Sequence, residues 1–356
     1  QRFLCEDARM PKEMELNIRV EDRTGDTKAV TKRRQRVDPP HILLTTPESL
    51  ALLVSFPESK ALFANLERIV IDEIHALTET KRGHQLVLAI SRLQSLCKNL
   101  RKIGLSATVD RPKEIADFIT EKEGSCPIIF AAPSPDPDIS MLQTKSSPPW
   151  SGAGGKYAVP DVLEQISNHK TTLIFHNTRA QAEIFFHNLW LNNNKNLPVA
   201  IHHGSLDFEQ RKRVEAAITS GELRAIVCTG TLDLGIDWNH VDLVIQVGAP
   251  KNIKRLVQRI GRANHTYNAP SKAIIVPANK FEIIECQAAL EAVKDRDLDG
   301  EAVRPGSLDV LCQHILLVAC SGKILPEKLF KEIKKIGAYR NLTQTDFQAC
   351  LRFCID

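Results

Sequence analysis

The sequence has no stretch of eighteen apolar residues, and this absence excludes a membrane-spanning helix. Its nine cysteines include no pair with the C-x-x-C spacing of a zinc ribbon. Because scattered cysteines without a framework are typical of a reducing compartment, we expect a cytoplasmic protein. The net charge is only +4 over 356 residues, so any affinity for nucleic acid must come from local patches of charge.

Short apolar runs alternate with helical patterns along most of the chain, which is typical of an α/β fold with parallel sheets. The predicted strands fall into two sets. The first set lies at residues 41–45, 68–72, 102–105 and 128–131, and the second at 172–175, 199–202, 224–228, 243–247 and 273–276. Two sets of strands in a chain of this length predict two α/β lobes.

Two changes in composition divide the chain. Proline, serine and glycine dominate the stretch from 133 to 158, which predicts a linker. After about residue 302 the pattern is helical only. We therefore expect a first lobe at 1–132, a linker at 133–158, a second lobe at 159–304 and the start of a helical module at 305–356.

Asp72 and Glu73 directly follow an apolar predicted strand, and the carboxyl ends of parallel strands are where α/β folds bind ligands. Asp72 would hold Mg²⁺, directly or through water, and Glu73 would orient an attacking water. An isolated Asp-Glu pair is more often a solvated strand end, but His75, Ser106 and Thr108 favour a site. His75 is either a satisfied core histidine or a coupler to the second lobe. Ser106 and Thr108 could switch hydrogen-bond partners on hydrolysis, or simply cap a helix.

The segment Thr46-Pro47-Glu48-Ser49 follows another predicted strand and begins a helix. Exposed hydroxyls and N–H groups at a helix start suit a phosphate of single-stranded nucleic acid. The same residues also make a plain helix cap with proline at the first position. Both interpretations can hold together.

The nine residues T-G-T-L-D-L-G-I-D close a predicted strand of the second lobe. Gly230 and Gly235 allow the backbone to approach a ligand closely, and Thr229 and Thr231 offer hydroxyl groups. Asp237 could contact a nucleotide sugar or an arginine. A purely structural turn is the weaker alternative for so many such residues in a row.

Gln258, Arg259 and Arg262 are spaced to share one face of a helix. Two arginines on one face normally form a solvated surface. After an α/β lobe and beside a glutamine, they also suit neutralisation of charge on a transferring γ-phosphoryl group.

Taken together, these segments resemble the Lhr group of superfamily 2 helicases, and most nearly its ligase-associated DEXH-box branch. The resemblance is carried by ILLTTPESLALL, IVIDEIHAL, GLSATV, LIFHNTRAQAE, HHGSL, TLDLGIDW and LVQRIGRANH. The later stretches VPANKFEIIECQAAL and SLDVLCQHILLVA are similar to the family's continuation into a winged helix. The likeness covers nearly the whole chain. It implies two RecA-like lobes, the first one incomplete, followed by the start of a winged-helix module.

The resemblance also implies an ATP- and Mg²⁺-dependent helicase that moves on single-stranded or forked DNA in DNA repair, with a DNA ligase and a nuclease as partners. In this family the acidic residues, the histidine and the glutamine-arginine motif are catalytic: Asp72, Glu73, His75, Gln258, Arg259 and Arg262. ATP would contact Asp72, Glu73, Gly235, Asp237, Arg259 and Arg262, and Ser106 and Thr108 would couple hydrolysis to movement. DNA would contact Thr46, Pro47, Glu48, Ser49, Asn177, Arg179, Thr229, Gly230 and Thr231.

One departure from the family is the phosphate-binding loop G-x-x-x-x-G-K-[ST], which the sequence does not contain. Gly152, Gly154 and Gly155 lie after the acidic motif and cannot replace it. We therefore expect a piece of a longer helicase, lacking the N-terminal part of the first lobe and unable to hydrolyse ATP alone. Two alternatives stay open, a non-catalytic remnant that binds nucleic acid and an RNA helicase of the same superfamily.

Overall fold

The structure is a computed structural model that describes residues 17–97, 99–106, 109, 111–131, 135–152, 154–233, 240–263, 270–297 and 303–355. The contacts between residues divide these into two compact units. Unit 1 contains the described residues up to 129 and those from 303 onward, and unit 2 contains the described residues from 130 to 297.

Unit 1 contains two pairs of parallel strands. β1 (Val20–Arg23) pairs with β2 (Ile42–Thr45), and β3 (Arg68–Ile71) pairs with β4 (Arg101–Gly104). The register places the last residues of β3 and β4 opposite each other. The segments that leave these two strands therefore start side by side.

A long buried helix forms the centre of unit 1. The helices of its first part are α1 (Ala29–Val37), α2 (Pro47–Val54), α3 (Ser59–Leu62), α4 (Lys81–Leu96) and α5 (Pro112–Phe118). The Thr80 hydroxyl begins α4 by accepting a hydrogen bond from the Gly83 N–H (3.2 Å). The middle of α4 is buried all round, so it packs against elements on several sides.

The helices after residue 303 belong to the same core. They are α11 (Leu308–Ser321), α12 (Pro326–Ile333) and α13 (Gln344–Ile355), with a 3₁₀ turn between the last two. Both α11 and α12 pack on α4. The Ser91 hydroxyl of α4 donates to the Glu332 carbonyl of α12 (2.8 Å), and Lys81 forms an ion pair with Asp309 of α11 (2.5 Å).

Unit 2 is built on one parallel sheet with the strand order β5-β10-β9-β6-β8-β7. The strands are β5 (Asp138–Met141), β6 (Thr171–His176), β7 (Val199–His202), β8 (Ala225–Cys228), β9 (Val241–Val247) and β10 (Lys272–Val276). The helices are α6 (Val159–Asn168), α7 (Arg179–Leu191), α8 (Phe208–Thr219), α9 (Ile253–Ile260) and α10 (Glu282–Asp295). Every residue of β6 and β8 is buried, as expected for strands that helices cover on both faces.

The predicted α/β class with parallel sheets is confirmed, but one predicted strand is wrong. Residues 128–131 form no strand, and Ile129 and Phe130 are 93% and 75% exposed where the chain passes from unit 1 to unit 2. The predicted linker at 133–158 contains β5, an edge strand that pairs with β10. The contacts thus divide the chain differently from the predicted domain bounds, which stay a prediction. None of the helices described has the length and apolar character needed to cross a membrane.

Candidate functional site

The chain turns sharply at Glu73, directly after β3. Glu73 has φ 49° and ψ 40°, the left-handed region that residues with a side chain rarely adopt. The Asp72 carboxylate accepts a hydrogen bond from the Glu73 N–H (3.0 Å), and the Ile74 N–H donates to the Leu105 carbonyl (3.0 Å). These bonds hold a backbone conformation that costs on the order of 1–3 kcal/mol and that clusters at functional sites.

His75 joins this acidic turn to the end of β4. Its side chain is fully buried, with Nδ1 3.0 Å from the Ser106 hydroxyl and Nε2 3.5 Å from the Glu73 carboxylate. The ring therefore fixes Glu73 and Ser106 relative to each other. The structure brings together these three predicted residues, and Asp72 lies next to them in the chain.

The acidic turn offers the oxygen donors that Mg²⁺ uses in proteins. The Asp72 residue is exposed and the Glu73 side chain is 32% exposed, so both carboxylates can be reached from solvent. Mg²⁺ is usually held by one or two carboxylates and keeps several waters or phosphate oxygens, so the pair fits this ion. Within the described ranges no cluster of three or more His, Cys, Asp or Glu side chains is arranged to hold a metal without such added ligands.

Thr46 caps α2, as one of the two interpretations of this segment predicts. Its hydroxyl accepts a hydrogen bond from the Ser49 N–H (3.3 Å), and Pro47 is the first residue of the helix. Glu48 binds Arg82 in the first turn of α4 through two contacts (2.5 and 3.3 Å), which lowers the pKa of Glu48. Arg82 thereby compensates a negative charge beside a helix start that could accept a phosphate.

Two predicted residues follow β6 at the carboxyl edge of the unit 2 sheet. The Asn177 side-chain amide donates to the Ala249 carbonyl (2.7 Å). Arg179 begins α7 with a side chain that is 57% exposed and donates to the Ser205 hydroxyl (2.8 Å). Donors held at such an edge are suited to contacts with a phosphate backbone.

The segment after β8 lies beside them, because β6 and β8 are neighbours in the sheet. Gly230 and Thr231 form a 3₁₀ turn that Thr229 precedes. The Thr231 hydroxyl lies 2.9 Å from Nδ1 of His202, whose Nε2 lies 3.0 Å from the Glu215 carboxylate. The turn is therefore anchored to β7 and to α8.

The Arg259 side chain is buried inside unit 2 rather than presented to solvent. It is 5% exposed, with Nε 2.8 Å from Asp233 Oδ1 and Nη1 2.6 Å from Gln246 Oε1. Its guanidinium carbon lies 4.8 Å from the centre of the Phe175 ring, a cation–π contact. Asp233, Gln246 and Phe175 are called the Arg259 socket below.

Gln258 and Arg262 are half-buried at the end of the same helix. The Arg262 N–H donates to the Arg259 carbonyl (3.0 Å), so the backbone of Arg262 depends directly on the position of Arg259. Three other predicted residues, Thr108, Gly235 and Asp237, lie outside the described residues.

Three residues to which the sequence analysis gave no role lie at this site. Asp233 and Gln246 hold Arg259, and His176 is fully buried beside it, with neither ring nitrogen hydrogen-bonded within the described part of the chain. Burial, together with Arg259, lowers the pKa of His176 to about 3. The signal that could have found Gln246 is its place as the single amide in the apolar strand L-V-I-Q-V, since a buried amide needs a partner.

Three protein-family models match the chain in order. They are "DEAD/DEAH box helicase" at residues 4–117, "Helicase conserved C-terminal domain" at 157–266 and "Large helicase-related protein, winged helix domain" at 291–356.

Among similar proteins is the ATP-dependent helicase Lhr-Core protein 2 of Thermococcus barophilus, 35% identical over 94% of this chain and 40% of its own length. The ATP-dependent helicase Lhr-Core of Methanothermobacter thermautotrophicus is 34% identical over 95% of this chain and 40% of its own length. The solved structure of Mycobacterium smegmatis helicase Lhr bound to ssDNA and AMP-PNP superposes with a TM-score of 0.87 at 30% identity, over 98% of this chain and 46% of that one. The chain thus spans less than half the length of these relatives.

These matches confirm the predicted fold of two RecA-like lobes followed by a winged-helix region. They give no support to the prediction that the N-terminal part of the first lobe is missing, because the DEAD/DEAH match begins at residue 4. They likewise give no support to the prediction that the chain is inactive by itself.

Proposed function

The chain belongs to the Lhr group of superfamily 2 DEAD/DEAH-box helicases, and on this premise we propose that it forms part of an ATP-dependent motor that moves along single-stranded DNA. Movement would be driven by ATP hydrolysis at the acidic turn after β3. The ligase-associated branch, the repair setting and the ligase and nuclease partners stay predictions from the resemblance.

The observation that carries the proposal is the contact of His75 with both Glu73 and Ser106. In a motor, the group that orients the attacking water must be joined to a segment that changes partners when the phosphate leaves. The buried imidazole provides this connection, since a shift of the Ser106 hydroxyl moves the ring against the Glu73 carboxylate. A core histidine would also need hydrogen-bond partners, but here the two partners come from the acidic turn and from the segment after β4.

Each residue of the acidic turn has a separate proposed role. Asp72 would hold a Mg²⁺ ion, which when bound with ATP neutralises charge on the phosphate oxygens. Glu73 would accept a proton from the attacking water or orient it, because its carboxylate is accessible and its direction is fixed by His75. In unit 2, Arg262 and Gln258 at the end of α9 would contact a nucleotide phosphate, as the family resemblance implies.

Contacts to DNA are proposed for each unit separately. In unit 1 they involve the start of α2, where Thr46 and Ser49 carry hydroxyls and Arg82 compensates Glu48. In unit 2 they involve Asn177 and Arg179 and the turn from Thr229 to Thr231. The relative from Mycobacterium smegmatis was solved with ssDNA, which favours DNA over RNA as the first ligand to test.

The test is ATP hydrolysis, with and without an oligo-dT strand, by the motor of which the chain is proposed to form part, comparing Glu73→Gln with the unaltered protein. We expect DNA-stimulated turnover that falls at least about 100-fold in the variant, since Gln cannot accept the proton. Binding of the strand should change by no more than about threefold, because Glu73 is not among the proposed contacts to DNA.

Glu67→Gln is the matched control. Glu67 precedes β3 at the opposite end of the strand, and its carboxylate pairs only weakly with exposed Arg68 (3.1 Å). This variant should hydrolyse ATP as the unaltered protein does. Hydrolysis that DNA does not stimulate, or full turnover by Glu73→Gln, would contradict the proposed function, and stronger stimulation by an RNA strand would reassign the substrate.

A further inference from the structure

The Arg259 socket lies where three functional segments of unit 2 meet, although the sequence predicts Arg259 itself as a group that touches phosphate. The guanidinium is 5% exposed and its Nε and Nη1 atoms are bonded to Asp233 and Gln246. A side chain held in this way cannot reach a ligand without breaking a buried ion pair, which is strongly destabilising. The role of Arg259 therefore follows from the segments of unit 2 that its guanidinium joins.

Asp233 connects the socket to the turn after β8. The Asp233 N–H donates to the Gly230 carbonyl (3.3 Å), so the carboxylate moves with this turn. A Cβ atom at Gly230 would lie 3.0 Å from Asp233 Oδ2 and 3.9 Å from Arg259 Nη2. The backbone proposed to contact DNA therefore lies directly against the ion pair.

Gln246 connects the socket to the segment after β6. Its side-chain oxygen accepts from Arg259, and its side-chain nitrogen lies within hydrogen-bond distance of the Asn177 oxygen (3.4 Å) and of the Val247 and Gly248 carbonyls (both 3.1 Å). Asn177 is the second proposed contact to DNA in this unit. One guanidinium thus joins both DNA-contacting segments.

The third connection runs along the chain to Arg262. The Arg262 N–H donates to the Arg259 carbonyl, so a displacement of Arg259 shifts the turn that carries Arg262. We propose that Arg259 is a positioning residue, whose socket couples DNA held at Gly230 and Asn177 to the placement of Arg262 on the nucleotide. This inference rests on the proposed function and refines it, since Arg262 and Gln258 then act on phosphate and Arg259 does not.

The test measures the coupling itself. The affinity for a fluorescent oligo-dT strand is determined with and without Mg²⁺ and AMP-PNP, and the affinity for AMP-PNP with and without the strand. The coupling ratio is the factor by which one ligand changes the affinity for the other. Because coupling is reciprocal, the two experiments must give the same ratio in each variant, and values of about 5- to 150-fold are usual. The variants are Arg259→Gln, Asp233→Asn and Gln246→Leu.

For all three variants we expect each ligand, added alone, to bind within about threefold of the unaltered protein. The coupling ratio should fall to near one in all three. If Arg259 touched phosphate instead, Arg259→Gln alone would weaken AMP-PNP binding, while Asp233→Asn would not. That pattern, or an unchanged ratio in the variants, would overturn the inference.

Arg255→Gln is the matched control, because Arg255 also pairs with Asp233 (3.3 Å) but its side chain is 62% exposed. Losing this exposed pair should leave the coupling ratio unchanged. Asp233→Leu combined with Arg259→Met addresses folding, since replacing both partners of a buried pair by apolar residues is often neutral or stabilising. The double variant should melt close to the unaltered protein and still lack coupling; restored coupling would overturn the inference.

The unaltered protein separates the two hypotheses. If it binds both ligands without coupling, the socket has nothing to transmit and only this inference fails. If it binds neither, the proposed function fails first and the inference with it.

Discussion

At the scale of single residues, each unit contains a deeply buried histidine whose protonated form would be costly. His314 of α11 is 3% exposed and close to Arg92, and His176 of β6 is fully buried beside Arg259. Burial lowers the pKa of both side chains to about 3. Both are therefore neutral in the folded protein at neutral pH.

This depressed pKa predicts a loss of stability in acid. Below about pH 6.5 each of these histidines binds a proton in the unfolded chain. In the folded chain it does so only near pH 3. Above about pH 6.5 the two histidines do not lower the free energy of unfolding. As the pH falls below about 6.5, each of them lowers it by about 1.4 kcal/mol per pH unit. His314→Gln should reduce the slope of the free energy of unfolding against pH, because one fewer proton is taken up on unfolding. Urea unfolding at several values between pH 7.5 and 5 measures it, and identical slopes in both proteins would refute it.

At this scale, a functional residue can be predicted from the sequence when its neighbours in the chain carry the signal. Asp72, Glu73 and His75 stand within four residues after an apolar strand, and together with Ser106 and Thr108 they predict a site there. It could not find the burial of Arg259, because Asp233 and Gln246 come from distant strands and loops. A lone arginine on a helix looks the same whether it faces solvent or a buried carboxylate.

At the scale of elements, the first turn of α4 fixes the loop that follows the acidic turn. Gly83 is buried there against the Leu77 carbonyl, and a Cβ atom would lie only 2.0 Å from that oxygen. Only glycine permits this approach between helix and loop. The position of His75, two residues before Leu77, depends on it.

Gly83→Ala should therefore destabilise unit 1 by roughly 1–3 kcal/mol, because backbone cannot yield as a flexible side chain can. DNA-stimulated ATP hydrolysis should fall as well, since the His75 loop is displaced. Gly104→Ala is the control, as its Cβ atom would meet side-chain atoms rather than backbone, the nearest being the end of the Ile74 side chain at 3.3 Å. Thermal melts of both variants test this prediction. Equal melting temperatures would show that the close approach of Gly83 to the Leu77 carbonyl is not needed for stability.

The strands illustrate where local pattern fails. β1 consists of Val20-Glu21-Asp22-Arg23, which no apolar pattern marks, and it forms because β2 offers a parallel partner. The apolar run Ile128-Ile129-Phe130 shows the reverse, as it has the composition of a strand without the pairing of one. Pairing is a property of the tertiary fold, so short edge strands are the least predictable elements.

At the scale of the whole molecule, the last fifty residues complete the core of unit 1. The sequence marks them as a separate helical module, because nothing in their own pattern indicates which surface they cover. In the structure Leu311 and Ile333 are fully buried in one cluster with Val87 and Ile90 of α4. The module and the first lobe should therefore unfold together.

Leu311→Ala tests this cooperation, with an expected loss of about 2–5 kcal/mol. Hydrogen exchange followed by mass spectrometry should then accelerate in α4, β3 and β4 as well as in α11, because they share one core. Leu189→Ala, at a fully buried position of α7, should accelerate exchange in unit 2 alone. Faster exchange confined to residues 303–355 in Leu311→Ala would show that the module folds independently.

The left-handed backbone of Glu73 implies that selection for heat resistance and selection for motor activity favour different residues at this position. Glycine or asparagine would relax that conformation, so a screen for heat resistance should repeatedly remove the carboxylate. A screen for motor activity should restore it every time. Glu73 strains the turn and is also the residue that the proposed chemistry needs. A substitution that raises the melting temperature by relaxing this turn should therefore abolish ATP hydrolysis.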